Sequence, residues 1–210
     1  MIDNRDSAKR ITRVLGQDIF NSPRSTVHKK AYYPGIHGKN RRPKFQSNYA
    51  LQRNAIRALS VFYGGLDAKT IYKYAKAAIY KGKQNPVEHF AQMFEQRIDS
   101  AIYWLWAPTM KLAKQLVSHK HILVDAGAGF KQVNRGTLKV GDKIKLADSA
   151  KHILAQYPSK EQKMPPYYQL ESADTAIVLK LPILSEIQFA EPWFKLHYHQ
   201  LALRFCKLRV

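Results

Sequence analysis

The chain has 210 residues, 45% of them apolar, which is enough for a packed core and too many for a disordered tail. Its 35 lysines and arginines stand against 15 acids, a formal charge of +20 that points to a polyanionic partner. Cys206 is the single cysteine, so an internal disulfide and a thiolate-rich metal site are both excluded, and a reducing compartment is the natural setting.

The chain opens with "MIDNRDSAKR", which has the pattern of neither a signal peptide nor a transit peptide. That leaves synthesis in the working compartment or removal of a presequence. No apolar run is long enough to span a bilayer. Residues 1–57 hold thirteen basic and three acidic side chains, half of the net excess. Gly16, Pro23, Pro34, Gly35, Gly38 and Pro43 interrupt the helical windows, so residues 1–45 are expected to form an extended basic arm. Its segment "YYPGIHGKNRRPK" sets Lys39, Arg41, Arg42 and Lys44 among tyrosines and glycines. Tyrosines can stack on bases or ribose, and glycines admit backbone N–H groups to phosphate oxygens. "GIHGK" lacks both the spacing and the preceding strand of a P-loop, and the proline-broken flanks argue against a GXXG clamp between helices.

Ser47 is expected to cap a helix in which Leu51, Ala55, Leu59 and Phe62 recur up to the stop at "YGG". A second helix is expected from Asp67 to Tyr80. A third starts after Pro86, with Phe90, Phe94, Ile98 and Ile102 on one stripe. Thr109 caps a fourth, whose apolar face is Met110, Ala113, Leu116 and Val117 while Lys111, Lys114 and Ser118 face outward. From His121 the period changes, and "HILVDA", "KQV" and "DKIKLAD" read as short strands. Residues 152–168 read as a linker or long excursion, "AIVLKLPIL" as a strand or two, and the last stretch as strand or helix. Helices followed by antiparallel strands make an α+β protein.

Four constellations have ordinary structural readings. Glu95 and Asp99 would share a helix face, but two carboxylates beside Arg97 more often form an ion-pair network than a catalytic pair. His197 and His199 would share a strand face without further ligands nearby, so no metal is expected. His119 and His121 straddle a helix end, and Trp104 and Trp106 read as core or domain-interface aromatics. "AKQLVSHKHILVDA" says the most: a short helix carrying Lys111, Lys114 and Gln115 turns through a basic-polar corner straight into a strand. That arrangement suits an RNA contact that reads shape and phosphate more than sequence.

"PGIHGKNRR", "SNYALQ", "FYGGL", "KAAIYKGK", "FEQRIDSAIYWL" and "AKQLVSHKHILVDAG…VGDKIKLADSAK" resemble, in order and spacing, the small-subunit ribosomal protein S-four family, in its bacterial and organellar branch. The similarity runs from about residue 13 to the end. It implies an extended basic arm (1–45), a helical domain (46–88, completed by about 194–210) and an α+β domain (89–193). The last would hold the helix–strand RNA-binding module, at about 92–151, with a small antiparallel sheet. It also implies a structural constituent of the small subunit, with no enzymatic activity and no cofactor. Its partners would be the 5′-domain junction of small-subunit rRNA, mRNA near the entry channel and neighbouring ribosomal proteins, with no membrane and no small-molecule substrate. The rRNA contacts carried over are Arg41, Arg42, Lys44, Ser47, Tyr49, Gln52, Lys114, Gln115, Ser118, His119 and Lys120, to which Arg57 and Lys111 are added.

The chain departs from that family at several points. A basic run in the first helix is replaced by Ala55, Ile56 and Ala58, with Arg57 retained; an arginine is replaced by Trp104; an Asn-Gly turn becomes Asp125-Ala126-Gly127; and the zinc-binding cysteines of some members are missing. These changes suggest exposed apolar positions covered by protein in place of rRNA, as in a mitochondrial ribosome. Richness in Ile, Lys and Tyr suits an AT-biased, organelle-encoded gene, with bacterial cytoplasm or plastid as the alternative. Two rivals use the same module. A pseudouridine synthase would place its R-L-D motif after the module, whereas "RID" at 97–99 lies inside its first helix. A free RNA-binding chaperone would leave the arm and helical half surplus.

Overall fold

The computed structural model describes residues 8–16, 18–19, 26–40, 47–81, 85–157, 164–183 and 185–187. The chain divides after Phe90 into two compact units, the second being Ala91–Gln188. The first contains α1 (Ala8–Leu15), α2 (Thr26–Lys29), α3 (Asn48–Phe62) and α4 (Ala68–Lys81), and the division falls within α5 (Pro86–Glu95). The second continues with α6 (Ile98–Leu105), α7 (Met110–Ser118), β1 (Ile122–Asp125), β2 (Lys131–Val133), β3 (Lys143–Leu146), α8 (Asp148–Ala155), β4 (Tyr168–Ser172) and β5 (Thr175–Val178). The fold is α+β. No helix among the described residues is long and apolar enough to cross a bilayer.

Part of the arm expected to be extended is helical. The window 8–15 contains no breaker, and Gly16 follows it at φ 68, where glycine ends a helix and does not interrupt one. Ile11 is buried, and α1 packs on α3. Ser47 caps α3, its Oγ accepting from the Ala50 N–H at 3.3 Å, an arrangement that stabilises a helix by about 1 kcal/mol. The "YGG" stop holds as well: the Ser60 carbonyl accepts from the N–H groups of Gly65 and Leu66, and the Ser60 hydroxyl donates to the Leu66 carbonyl at 2.6 Å.

One expectation about α3 fails. Ala55, Ile56 and Ala58, the positions expected to be exposed and covered by other proteins, are buried at 0%, 4% and 0% exposure. They lie on the same stripe as Leu59 and Phe62 and serve the chain's own core. Trp104, read from the sequence as a core or domain-interface aromatic, is buried.

In the second unit the expected third helix is broken in two. Arg97 adopts extended backbone (φ −69, ψ 141) and bridges Thr137. The Ile98 N–H donates to the Gly136 carbonyl, and the Leu138 N–H donates to the Gln96 carbonyl. These long-range bonds satisfy groups that a continuous helix would have paired internally, while Phe94, Ile98 and Ile102 still reach the core. The five strands form an antiparallel sheet in the order β2-β1-β3-β5-β4. Alternation in "KIKL" sends Ile144 and Leu146 inward, where they join Ile122, Leu116 and Ala113. The excursion expected at 152–168 is shorter than anticipated, since α8 reaches Ala155 and β4 starts at Tyr168. His197, His199, Cys206 and the final stretch lie outside the described residues.

Glu95, 1% exposed, accepts from Trp104 Nε1 at 2.7 Å and from the Tyr167 hydroxyl at 3.2 Å, while its backbone carbonyl accepts from the Tyr168 hydroxyl at 2.9 Å. Its expected partner on one helix face, Asp99, is across the break and is held by Arg97 in a two-pronged pair of 2.9 and 2.6 Å. Burial, then the negative charges of Glu95 and Asp99, push the Tyr168 phenol well above its usual pKa. The folded state therefore retains this proton longer than the unfolded chain. Stability is unaffected below the free phenol value near 10 and falls above it, by up to about 1.4 kcal/mol per pH unit. Urea melts of the wild type and Tyr168→Phe between pH 8 and 11 are expected to show the steeper alkaline loss in the wild type; parallel curves would contradict this.

Candidate nucleic-acid interface

The helix–corner–strand unit is built from both ends. Thr109 Oγ1 accepts from the Leu112 N–H at 3.3 Å and starts α7, whose Met110, Leu112, Ala113, Leu116 and Val117 are buried. At the other end the Lys120 N–H donates to the Val117 carbonyl and the His121 N–H to the Leu116 carbonyl, both at 3.0 Å. This pair of bonds is the Schellman closure. It requires a left-handed residue at Lys120, which has φ 61 and is the only non-glycine at positive φ among the described residues. Such a conformation strains an L-residue by roughly 1–2 kcal/mol.

The strain places a cation at the corner. Lys111, Gln115, Ser118, His119 and Lys120 are all exposed, and Lys114 is half-buried. Ser118 Oγ donates to the Gln115 carbonyl at 3.0 Å. The His119 and His121 rings stack at 6.1 Å, 16° apart, and His121 Nδ1 lies 2.7 Å from Ser149 Oγ at the start of α8. The six residues expected here from the sequence are therefore brought to one edge. The His121–Ser149 link adds a neighbour that no local spacing signals, because the partners are 28 residues apart.

The acids of this unit have partners of their own. Asp125 accepts from the N–H groups of Gly127 and Gly129, Asp142 from the Lys139 N–H, Glu171 pairs with Lys143 and Glu186 with Lys180. Lys151 bridges Asp148 and Asp174 at 3.1 and 2.5 Å, on the wall of a polar cleft of about 390 Å³. With Glu95 and Asp99 held inside, every described carboxylate of the unit has an internal partner. Asp148, 93% exposed, adjoins the Ser149 that meets His121, and its carboxylate is engaged by Lys151. Internal pairing also removes the proposed enzymatic aspartate, since Asp99 is 4% exposed and doubly bonded to Arg97.

In the first unit, Ser47 is occupied as the α3 cap, Tyr49 is 63% exposed and Arg57 is half-buried. Gln52 lies on α3; Arg41, Arg42 and Lys44 lie outside the described residues. The turn before them has a lock that the sequence reading missed. Arg13 donates to the carbonyls of Tyr32 and Tyr33 at 3.0 and 3.1 Å, with its guanidinium carbon 4.9 Å from the Tyr32 ring centroid. The Lys39 ammonium lies 5.6 Å from the same centroid. A Cβ at Gly38 would come 1.8 Å from the Tyr33 carbonyl oxygen, so only glycine fits there. The turn thus presents Ile36, His37, Lys39 and Asn40 to solvent.

No protein-family model matches the chain. Among curated proteins, the small ribosomal subunit protein uS4 of Erythrobacter litoralis is 32% identical over 195 residues, covering 90% of this chain and 93% of its own. The uS4 protein of Hyphomonas neptunium is 31% identical over 197 residues, covering 90% and 93%. That of Ruegeria pomeroyi is 32% identical over 207 residues, covering 93% and 97%. The chain belongs to the uS4 family. Membership in uS4 makes it a structural protein, not an enzyme, and matches the S-four resemblance read from its motifs.

Lys120→Gly is expected to raise stability, by about 1 kcal/mol, through relief of the left-handed strain. The same change is expected to flatten the salt dependence of RNA binding by about one phosphate contact. Denaturant melts and salt titrations of one preparation check both signs together. Arg13→Ala is expected to speed amide hydrogen exchange at Gly38, and Arg13→Lys not to restore it, because lysine lacks the planar fork that puts Nε and Nη2 on the Tyr32 carbonyl while lying beside its ring.

Proposed function

We propose that the chain is a structural constituent of the small ribosomal subunit and binds small-subunit rRNA, with the α7–β1 corner as a principal contact. The observation that carries this reading is the corner itself: a strained lysine and its exposed polar neighbours, fixed to a core. A rigid cationic edge loses little entropy when it meets a folded phosphate backbone.

The finer assignments follow from the S-four resemblance. The RNA is the 5′-domain junction, gripped by Arg41, Arg42, Lys44, Ser47, Tyr49, Gln52 and Arg57 from the first part of the chain. Lys111, Lys114, Gln115, Ser118, His119 and Lys120 grip it from the module. The protein also lies beside mRNA at the entry channel and beside neighbouring small-subunit proteins. Its division into an arm (1–45), a helical domain (46–88 with about 194–210) and an α+β domain (89–193) belongs to the same reading. We place its ribosome in a mitochondrion on the strength of the Ile-, Lys- and Tyr-rich composition. The relatives reported above are bacterial, and fractionation of the source cell separates the two origins.

Fluorescence anisotropy of the full chain on a 5′-domain rRNA transcript tests the reading. If the seven named lysines and arginines each neutralise one phosphate, log K falls with log salt at a slope of about −6. A slope near zero, or absence of the protein from sedimenting small subunits, would refute it.

A further inference from the structure

The outer face of α4 holds a second set of cations that none of the assigned contacts uses. Lys69, Tyr72, Lys73, Lys76 and Tyr80 are exposed at helical spacing, Tyr80 to 64%, while Ile71, Ala75 and Ala78 are buried on the other side. The helix "AKTIYKYAKAAIYK" contains no acid. A helix that only faces solvent gains from Glu–Lys pairs at i,i+4 and loses from like charges at that spacing. Here Lys69 and Lys73 are four apart, Lys73 and Lys76 three apart. None of these three lysines has a carboxylate partner among the described residues. The Lys76 ammonium lies 5.8 Å from the Tyr80 ring centroid, so cation and aromatic surface are presented together.

We propose that this lysine–tyrosine face is a second RNA-binding surface, with a sugar–phosphate backbone along Lys69, Lys73 and Lys76 and a base or ribose against Tyr80. It rests on the reading of the chain as an rRNA binder and adds a contact outside the corner and the arm. An acidic protein would complement the lysines alone; phosphates interleaved with flat rings complement the phenols too.

The test compares the full wild-type chain, the triple variant Lys69→Gln/Lys73→Gln/Lys76→Gln and Tyr80→Leu on the 5′-domain transcript. Glutamine matches lysine in helix propensity, and circular dichroism checks the fold. The triple variant is expected to reduce the salt slope by roughly 2 to 3 units, so its deficit against wild type narrows by about fortyfold between 50 and 200 mM salt. Tyr80→Leu keeps every charge and is expected to bind several-fold more weakly with an unchanged slope. If the triple variant does not fold, Tyr80→Leu decides alone. Wild-type affinity and slope in the variants would overturn the proposal while leaving the corner reading intact. Normal RNA binding with lost incorporation into small subunits would overturn it in favour of a protein partner. Failure of the wild type to bind the transcript would sink both.

Discussion

Two backbone hydrogen bonds, from Lys120 and His121 back into α7, determine how this protein can meet its partner. They close the helix and force the next residue into the left-handed region, and β1 then starts directly in the core with Ile122 at 0% exposure. The polar edge cannot drift relative to the sheet, because its flanks are anchored by Leu116 and Val117 on one side and Ile122 on the other. A flexible loop with the same composition would have the same charge without the fixed geometry. Fixed geometry lets a surface select folded RNA over any polyanion.

The disposition of acids completes that arrangement. A chain with 35 basic and 15 acidic residues could have spread its carboxylates as surface ion pairs, each of small net value. The second unit has such pairs at Lys143–Glu171 and Lys180–Glu186, and it also uses carboxylates to build itself. Glu95 gathers Trp104, Tyr167 and Tyr168 around the helix break; Asp125 shapes the turn that follows β1; Lys151 is drawn between Asp148 and Asp174. Core construction and RNA recognition thus follow from one distribution of charge.

What could be read in advance was local. Ser47 and Thr109 announced their helices because a cap needs only a hydroxyl three residues before a free N–H. The strands of "HILVDA", "KQV" and "DKIKLAD" were visible from change of period, and the corner from its polar run between apolar segments. The break at Arg97 was not visible, because its cause is a bridge to Thr137, forty residues away, that no periodicity encodes. For the same reason the Arg13 lock on the arm and the His121–Ser149 link were missed. The apolar substitutions in α3 misled in a different way. Apolar residues where the family resemblance implies a basic run suggest a new external partner, but position on the helix decides the matter. At 55, 56 and 58 the side chains face the core.

The arrangement has a thermodynamic consequence for the unbound protein. Left-handed strain at Lys120, like charges three and four apart on α4, and clustered cations on α7 all raise the energy of the free fold. A polyanion relieves the two electrostatic contributions and leaves the third unchanged. A partner that binds only the folded state raises stability by mass action, and the increase is greatest where the isolated chain is most self-repelling. High salt acts on the same two contributions in the opposite context: it screens the repulsion within the free chain and weakens the attraction to RNA. Stability of the free protein and affinity for its partner should therefore move in opposite directions with ionic strength. Such a divergence is the signature of charge arranged for binding and not for folding.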